Sequence, residues 1–590
     1  MPDYNPPARD VRFVLKTLLR IPSLANTPAF AMVDEDLIDT IVEEAGRFCA
    51  EVFAPLNPVG DMQGCKRHPD GSVTTPEGFA SAYQRYCESG WGTLALPEQY
   101  GGQGMPHVLA TVVEEFANSA CHALYMYPGL THGAVSALLA KGSEELKDIY
   151  LPRLVSGEWL GTMALTEAHC GTDLGLLRTR AEPLEDGSFA ISGEKIFCSG
   201  GEHDLTANIV HLVLARTPQA AAGSRGISLF VVPKFIPDAE GEPGERNAAT
   251  CGAIEHKMGI RGSATCVMNF DRAKGWMVGA EGEGLAAMFI MMNAARLSCG
   301  NQGLAQAERA YQGAVTYALE RRQGKAAGER PDPTAAADPL VVHPDVRRML
   351  MDARAFTEGF RALVLWTALQ IDLSHASEDA EERRRADELV GFLTPVIKAF
   401  GTDRGFETAV DMQQIFGGHG YIAEWGMEQI VRDARVARMY EGANGVQALD
   451  LAGRKLARDG GAMAEVFFSL VEADCSTAPA FIATPLREAL SEARAAARWL
   501  IDHAGDDPNT LGAGSYPFLQ VIGTLAIGWM WARIAAVAEE EAEDPFNAAK
   551  LATARHYAGR SLPRCASLRR EVEAGAEALM AIPAELLQRA

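Results

Sequence analysis

Hydrophobic positions recur every three to four residues over most of the chain, a spacing that predicts α-helices. The first clear run begins at Asp34, and either Asp34 or Asp36 is a candidate N-cap for it. More such segments continue to about residue 156. Residues 1–33 are instead punctuated by proline and contain one amphipathic turn, at residues 11–19. We therefore predict an N-terminal extension (1–33) followed by a helical domain (34–159).

The pattern changes at residue 160. Short runs rich in β-branched and aromatic residues alternate with turn signals as far as Gly279, for example at residues 209–214, 227–232 and 265–270. Several short strands in so brief a stretch predict a small barrel or sandwich. This β-domain is assigned to residues 160–280.

Helical spacing returns at residue 285, and only residues 323–341, rich in Ala, Pro, Gly and Asp, interrupt it as a loop or insertion. We assign residues 281–456 to a second helical domain. Four more helical segments, at 464–472, 485–504, 516–542 and 547–587, predict an appended helical domain (457–590). The apolar run 518–532 is short for a bilayer span, which favours a buried helix. The predicted fold class is α+β, mostly α.

The charge composition limits the classes of binding partner that can be expected. The 77 acidic residues outnumber the 54 basic ones and give a net charge of -23. Such acidity argues against nucleic acid or an anionic membrane as a main partner, and the short apolar run at 518–532 against membrane insertion. Eleven cysteines are scattered singly, and the first residues lack a signal-peptide pattern, so a cytoplasmic protein with reduced thiols is expected.

The most informative stretch is residues 438–447. Helical spacing covers 427–440 and resumes over 446–456, and Gly442 and Gly445 separate the two runs. Glu441 therefore lies where a helix gives way to a loop. A carboxylate held in a loop by rigid helices is suited to act as a general base. The alternative from these residues alone is a solvated loop glutamate.

Further segments occur in the order found in the acyl-CoA dehydrogenase family. Residues 438–447 resemble its Tyr-Glu-Gly-Thr/Ala-Asn/Ser catalytic loop, and residues 97–104 resemble its N-terminal domain signature. Residues 257–263 match a segment to which we give only an architectural role. The resemblance implies the acyl-CoA dehydrogenase fold: a helical N-terminal domain, a β-domain and a four-helix-bundle domain, here with an appended C-terminal helical bundle.

The resemblance also implies FAD as the cofactor. Residues 163–173 are similar to the flavin loop, 193–201 to the segment that covers the flavin ring, and 317–323 and 413–421 to segments that reach FAD across a subunit boundary. The FAD contacts implied in this way are Met163, Leu165, Thr166, Gly171, Thr172, Phe197, Ser199, Arg321, Gln414, Gly417, Gly418 and Asn444. His169 and Cys170 depart from the family pattern. Two adjacent ligands without clustered partners favour no metal.

For the reaction, the resemblance implies α,β-dehydrogenation of an acyl-CoA, with Glu441 removing the α-proton. The implied substrate contacts are Thr172, Asn293, Arg296, Tyr440 and Gly442, and Asn293 replaces an acidic residue of relatives. Electron-transfer flavoprotein is the expected electron acceptor, and the chain is expected to form at least a homodimer.

Residues 1–33 and the long tail together resemble a long subfamily, which includes a member that acts in dimethylsulfoniopropionate breakdown. It implies 3-(methylthio)propionyl-CoA as substrate and methylthioacryloyl-CoA as product. Three alternatives stay open: a short- or medium-chain acyl-CoA dehydrogenase, an acyl-CoA oxidase, and a flavin-containing nucleic-acid-binding stress protein. The acidic residues at 539–544 count against the last.

Overall fold

The structure is a computed structural model that describes residues 3–505 and 507–588, without the side chains of Asn293 and Ala294. The chain forms two compact units. The first is Glu44–Ser298, and the second combines Met1–Glu43 with Cys299–Ala590.

The part of the chain before residue 159 is almost entirely helical, as predicted. Asp34 caps the second helix, because its carboxylate accepts a hydrogen bond from the Leu37 N–H at 2.8 Å. The elements are α1 Ala8–Arg12, α2 Glu35–Phe48, α3 Leu56–Gln63, β1 Lys66–Arg67, β2 Val73–Thr74, α4 Phe79–Glu88, α5 His107–Lys141 and α6 Glu144–Ser156.

The predicted block of strands is confirmed. It contains β3 Trp159–Ala164, β4 Arg180–Pro183, β5 Phe189–Ser199, β6 Asn208–Ala215, β7 Ser228–Pro233, β8 Phe235–Pro237, β9 Pro243–Arg246, β10 Ala249–Ile254 and β11 Thr265–Val278. Seven strands form one sheet in the order β3-β6-β7-β11-β5-β4, with β10 also on β11, and the sheet does not close into a barrel. Strands β6 and β7 are buried along their whole length, which explains their apolar runs without alternation.

Helices return after the sheet. They are α7 Gly284–Glu320, α8 Pro344–Ala376, α9 Ala380–Ile415, α10 Met427–Ala434, α11 Asn444–Leu449, α12 Ala462–Asp474, α13 Ala480–His503, α14 Pro508–Ala538, α15 Pro545–Arg560, α16 Arg564–Glu573 and α17 Glu577–Met580. The segment between α7 and α8 is irregular apart from a short 3₁₀ turn, Leu340–Val342, in agreement with the predicted loop.

Two predicted helices were too long. The helix expected over residues 427–440 ends at Ala434, and a tighter 3₁₀ turn, Val436–Arg438, follows. The one expected over 547–587 is three helices. Pro563 separates the first two, since proline cannot continue the hydrogen-bond ladder of a helix, and Gly575 (φ +64°) ends the second.

Helix α14 is the core of the appended domain. Together with the turn that follows it to Glu541, it is the one helix among residues 3–505 and 507–588 that is long and apolar enough to cross a membrane. However, 83% of its most apolar 18-residue stretch is buried inside the protein. It packs against α8 and α9 as well as α13, α15 and α16. Trp531, for example, donates a hydrogen bond to the Ala355 carbonyl at 2.9 Å. This agrees with the predicted buried bundle helix.

Within the second unit, buried charges fix the N-terminal extension to helices from later in the chain. The Asp10 carboxylate accepts hydrogen bonds from Arg361 and Lys550. Arg361 also pairs with Glu308 at 2.9 Å, and Lys550 with Glu358 at 2.8 Å. Burial alone would raise the pKa of Asp10, but the two cations outweigh it and hold that pKa below its usual value. The cluster joins α1 to α7, α8 and α15.

Replacing Lys550 by Met should destabilise the second unit by about 3 kcal/mol, because it leaves buried Asp10 and partly buried Glu358 without their ammonium partner. Thermal unfolding followed by circular dichroism would show a lower midpoint. Arg9→Ala is the control, since the Arg9–Asp544 pair is exposed (69% and 40%) and its loss should cost less than about 1 kcal/mol. Equal midpoints for Lys550→Met and the wild type would contradict the expected role.

Candidate active site

Glu441 lies between the 3₁₀ turn Val436–Arg438 and α11, as the glycine pattern predicted. Its backbone is in the left-handed region, with φ +54°, and Gly442 follows with φ +81°. A non-glycine residue in this region is strained and persists only where its surroundings hold it. The side chain of Glu441 is half-buried.

Helix α9 supplies the groups that hold this loop. The Lys398 ammonium donates to the Gly442 carbonyl at 2.8 Å and to the Asn444 side-chain oxygen at 2.9 Å. The Asn444 amide in turn donates to Thr402 at 3.0 Å and to Asp403 at 2.8 Å. The side chains of Lys398, Thr402, Asp403 and Asn444 are all buried. The amide of Asn444 is therefore engaged with α9, and its expected contact with FAD stays a prediction.

Tyr440 is fixed by α7. Its hydroxyl donates to the Gln302 side chain. Burial, assisted by the neighbouring Cys299 thiol and Glu441 carboxylate, raises the pKa of Tyr440 well above its usual value. The residue before Glu441 is therefore a neutral, positioned phenol.

In the first unit, the flavin-like loop and strand β5 lie side by side. The loop turns tightly where Glu167 and Cys170 exchange backbone hydrogen bonds of 2.9 and 3.0 Å. The Ile196 N–H donates to the Thr166 carbonyl at 2.8 Å. The structure therefore brings together two segments, 163–173 and 193–201, that are about thirty residues apart in sequence.

A buried ion pair fixes this loop. Lys195 donates to the Leu165 carbonyl and to the Glu167 carboxylate, both at 2.9 Å. Glu167 also accepts from the Thr179 hydroxyl at 2.6 Å and from the Arg178 N–H at 2.8 Å. Burial would raise the pKa of Glu167, but Lys195 and these donors lower it to about 2. Burial also disfavours the charged form of Lys195 and lowers its pKa, although the attraction of Glu167 acts in the opposite direction.

Neither Glu167 nor Lys195 was assigned a role from the sequence. The signal for them was a lysine inside a strand, because a buried ammonium requires a carboxylate partner. The possible ligand atoms of Glu167, His169 and Cys170 lie within 4.8 Å of one another. Both Glu167 oxygens are already used by the hydrogen bonds that hold the loop, so this carboxylate acts as an anchor; the expected absence of a metal stays a prediction.

Phe197 is the most conspicuous residue of this surface. Its backbone is left-handed (φ +57°), and its ring is 60% exposed although Lys195 and Cys198 beside it are fully buried. Thr172 and Gly171 are exposed, and Leu165 and Thr166 are partly so. An exposed aromatic side chain next to an accessible loop of small residues fits the flat aromatic ring of a flavin. Met163 is buried in β3, and Ser199 lies opposite Thr265 on β11, so their contacts with FAD stay predictions.

In the second unit, the other two predicted FAD segments also meet. The Tyr317 ring stacks on Phe416 at 4.2 Å between centroids, and the Tyr317 hydroxyl lies 2.9 Å from His419 Nδ1. The predicted contacts around them, Arg321, Gln414, Gly417 and Gly418, are all exposed. Gly417 has φ +57°, and neither glycine would meet another atom within 4 Å if it carried a Cβ, so a ligand can approach the backbone closely. The planar, five-donor guanidinium of Arg321 suits a pyrophosphate.

The predicted substrate contacts are spread over both units. Arg296 on α7 is buried, with its guanidinium 6.0 Å from the centre of the Phe289 ring. Thr172 is exposed in the flavin-like loop, and Gly442 accepts from Lys398. The side chain of Asn293 lies outside the described residues.

Family models account for most of the chain. The acyl-CoA dehydrogenase N-terminal domain matches residues 38–158, the middle domain 162–273 and the C-terminal domain 282–456. A model described as acetyl-CoA dehydrogenase C-terminal like matches residues 467–583. Together with the relatives described next, these matches show that the chain belongs to the acyl-CoA dehydrogenase family. It is an FAD-dependent oxidoreductase that acts on acyl-CoA thioesters.

Two relatives match over nearly their full lengths. The 3-methylmercaptopropionyl-CoA dehydrogenase of Ruegeria pomeroyi is 44% identical over 96% of this chain and 97% of its own. The broad-specificity linear acyl-CoA dehydrogenase FadE5 of Mycobacterium tuberculosis is 35% identical over 97% and 98%. Among solved structures, an acyl-CoA dehydrogenase of Bacillus anthracis complexed with FAD shares the fold, with a TM-score of 0.72, 20% identity and coverage of 92% and 89%.

The ion pair between Glu167 and Lys195 should make the stability of the protein depend on pH. A carboxyl group whose pKa is lowered by folding, here from 4.5 to about 2, stabilises the protein above the unfolded value and loses this contribution as the pH falls towards the folded value. The wild type should therefore be more stable than Glu167→Gln above about pH 5, and the difference should shrink at lower pH. Melting curves of both proteins between neutral and acidic pH would test this. A difference that does not change with pH would contradict it.

Proposed function

We propose that Glu441 is the base that removes the α-proton of an acyl-CoA thioester in an α,β-dehydrogenation. The observation that carries this proposal is the backbone geometry: a half-buried carboxylate in a strained conformation, pinned on its C-terminal side by Lys398 and Asn444 and preceded by the hydrogen-bonded Tyr440. Such rigid support is what a general base requires, because proton transfer depends on a fixed distance to the substrate.

An α C–H bond is a weak acid, so the enzyme must also stabilise the enolate charge that develops on the thioester oxygen. By resemblance to the family, the Glu441 backbone N–H donates to this oxygen. Displacing water from the site on substrate binding would raise the pKa of the carboxylate towards the working pH. The same residue would thus provide both the base and an oxyanion donor.

By resemblance to the family, the loop at 163–173 and Phe197 would hold the FAD of one subunit. Arg321, Gln414, Gly417 and Gly418 would reach the FAD of the neighbouring subunit. These residues suit FAD, because they offer an exposed aromatic side chain, accessible backbone and two glycines with open space around them. When bound, FAD supplies the acceptor for the β-hydrogen as hydride. The chain itself orients the thioester and keeps the proton acceptor in place.

Replacing Glu441 by Gln should lower kcat by at least about 10³-fold while FAD stays bound, because the amide cannot take the proton. Turnover with an artificial electron acceptor and the flavin absorbance would be measured together. Glu407→Gln removes an exposed carboxylate of α9 and is the matched control, expected to keep wild-type activity. Near-wild-type turnover of Glu441→Gln would disprove the assignment.

We propose 3-(methylthio)propionyl-CoA as the preferred substrate and methylthioacryloyl-CoA as the product. The support is the 44% identity, over nearly the whole of both chains, to a protein named for that substrate under its synonym. Straight-chain acyl-CoAs are the competitors, because the 35% identical relative is named for linear acyl-CoA.

A panel of acyl-CoAs assayed with the purified enzyme would test this specificity. We expect the highest kcat/KM for 3-(methylthio)propionyl-CoA, and a lower value for pentanoyl-CoA, in which a methylene group replaces the sulfur. Because one such change in an apolar pocket alters binding only modestly, the expected ratio is about 10-fold. A higher kcat/KM for any straight-chain substrate would overturn the preference.

Electron-transfer flavoprotein as the acceptor and a homodimer as the assembly are proposed from the family resemblance. The dimer is supported by exposed apolar side chains near Gly417 and Gly418: Tyr421 (87% exposed), Ile422 and Trp425. Light scattering would measure the assembly. For the electron acceptor, oxygen uptake without an added acceptor would indicate an acyl-CoA oxidase and not a dehydrogenase that uses electron-transfer flavoprotein.

A further inference from the structure

Besides Lys398, one buried carboxylate holds the loop that carries Glu441, that of Asp403 on α9. One of its oxygens, Oδ1, lies 2.6 Å from Arg438 Nε and 2.8 Å from the Asn444 amide. Arg438 precedes Glu441 by three residues and Asn444 follows it by three. A single oxygen therefore ties both ends of the strained loop to the same helix.

The second oxygen of Asp403 is held by the appended domain. The Tyr516 hydroxyl donates to Oδ2, and the Gln520 amide donates to the same atom at 3.1 Å. Both residues lie on α14, one turn apart. Burial and the adjacent Asp403 carboxylate raise the pKa of Tyr516 to about 12, so it remains a hydrogen-bond donor at neutral pH.

Close packing of α14 on α9 makes this contact possible. A Cβ on Gly523 would lie 2.3 Å from the Phe400 ring, so glycine is required there. Gly523 is one turn from Gln520, and Phe400 is one turn from Asp403. The helices therefore approach at the level where the hydrogen bonds to Asp403 form.

We propose that the appended helical domain helps to position the catalytic loop: Tyr516 and Gln520 orient Asp403, and Asp403 orients Arg438 and Asn444 on either side of Glu441. This inference rests on the proposed role of Glu441. Tyr516, Gln520 and Asp403 are positioning residues, since none of them is assigned contact with the reacting atoms. A buried carboxylate with one oxygen left without donors would turn or shift, and a base displaced even slightly loses much of its rate.

The test compares Tyr516→Phe, alone and together with Gln520→Leu, with Tyr557→Phe. Tyr557 is a matched control in the same domain: its buried hydroxyl donates to the Thr524 carbonyl of α14 at 2.9 Å and lies outside the Asp403 network. Tyr516 is 37% exposed, so the single variant should fold even if the double variant does not.

In the double variant kcat should fall about 10- to 100-fold, with KM for the acyl-CoA and the FAD content nearly unchanged; the single variant should show a smaller fall in the same parameter. The kinetic isotope effect with α-deuterated substrate should rise in both, because proton removal becomes more rate-limiting. Tyr557→Phe should leave both quantities at wild-type values.

The inference would be overturned if kcat and the isotope effect of Tyr516→Phe equalled those of Tyr557→Phe, or if the double variant lost FAD rather than rate. If Glu441→Gln abolishes turnover while the Tyr516 variants behave as wild type, the proposed base stands and the positioning role fails. If Glu441→Gln stays active, both fail.

Discussion

A glutamate in a left-handed backbone conformation is the constraint around which the second unit is organised. The conformation at Glu441 is unfavourable for any side chain with a Cβ and cannot be maintained by the loop itself. It is maintained by Lys398 and Asp403, two charged residues of a single long helix. Burying those charges is costly, so each must be fully hydrogen-bonded. That requirement extends outward from the loop to α14.

The first unit solves a similar problem in a similar way. Phe197 is also left-handed, and the loop beside it is fixed by the buried Lys195–Glu167 pair. In both units a lysine ammonium binds a backbone carbonyl of the functional loop and a neighbouring side-chain oxygen. Charge-assisted hydrogen bonds of this kind are shorter and stronger than neutral ones, which suits the support of a site.

Local features of the site could be predicted from the sequence. Glycines at 442 and 445 placed Glu441 at a helix-to-loop junction, because turn chemistry depends on adjacent residues. The alternation between helical and strand periodicity likewise located the β-domain and the bundle helices. The break at Pro563 was missed since the apolar spacing continues across it, although proline at that position argues for an end.

The support of the site could not be predicted in this way. Lys398 and Asp403 read as charged residues of a helix, and nothing in their neighbourhood indicates a loop forty residues away. The same holds for Tyr516, which is more than a hundred residues from its partner Asp403. Such pairings depend on which helices pack together, and that is decided by tertiary structure rather than by local preference.

The buried cluster around Asp10 has a consequence for biosynthesis. Its members come from α1, from α7 and α8, and from α15 near the end of the chain, whereas Glu44–Ser298 is one continuous segment. During translation the continuous unit can fold as soon as it leaves the ribosome. The N-terminal segment lacks its last ionic partner until Lys550 has been synthesised, so the oldest residues of the nascent chain are among the last to reach their final place.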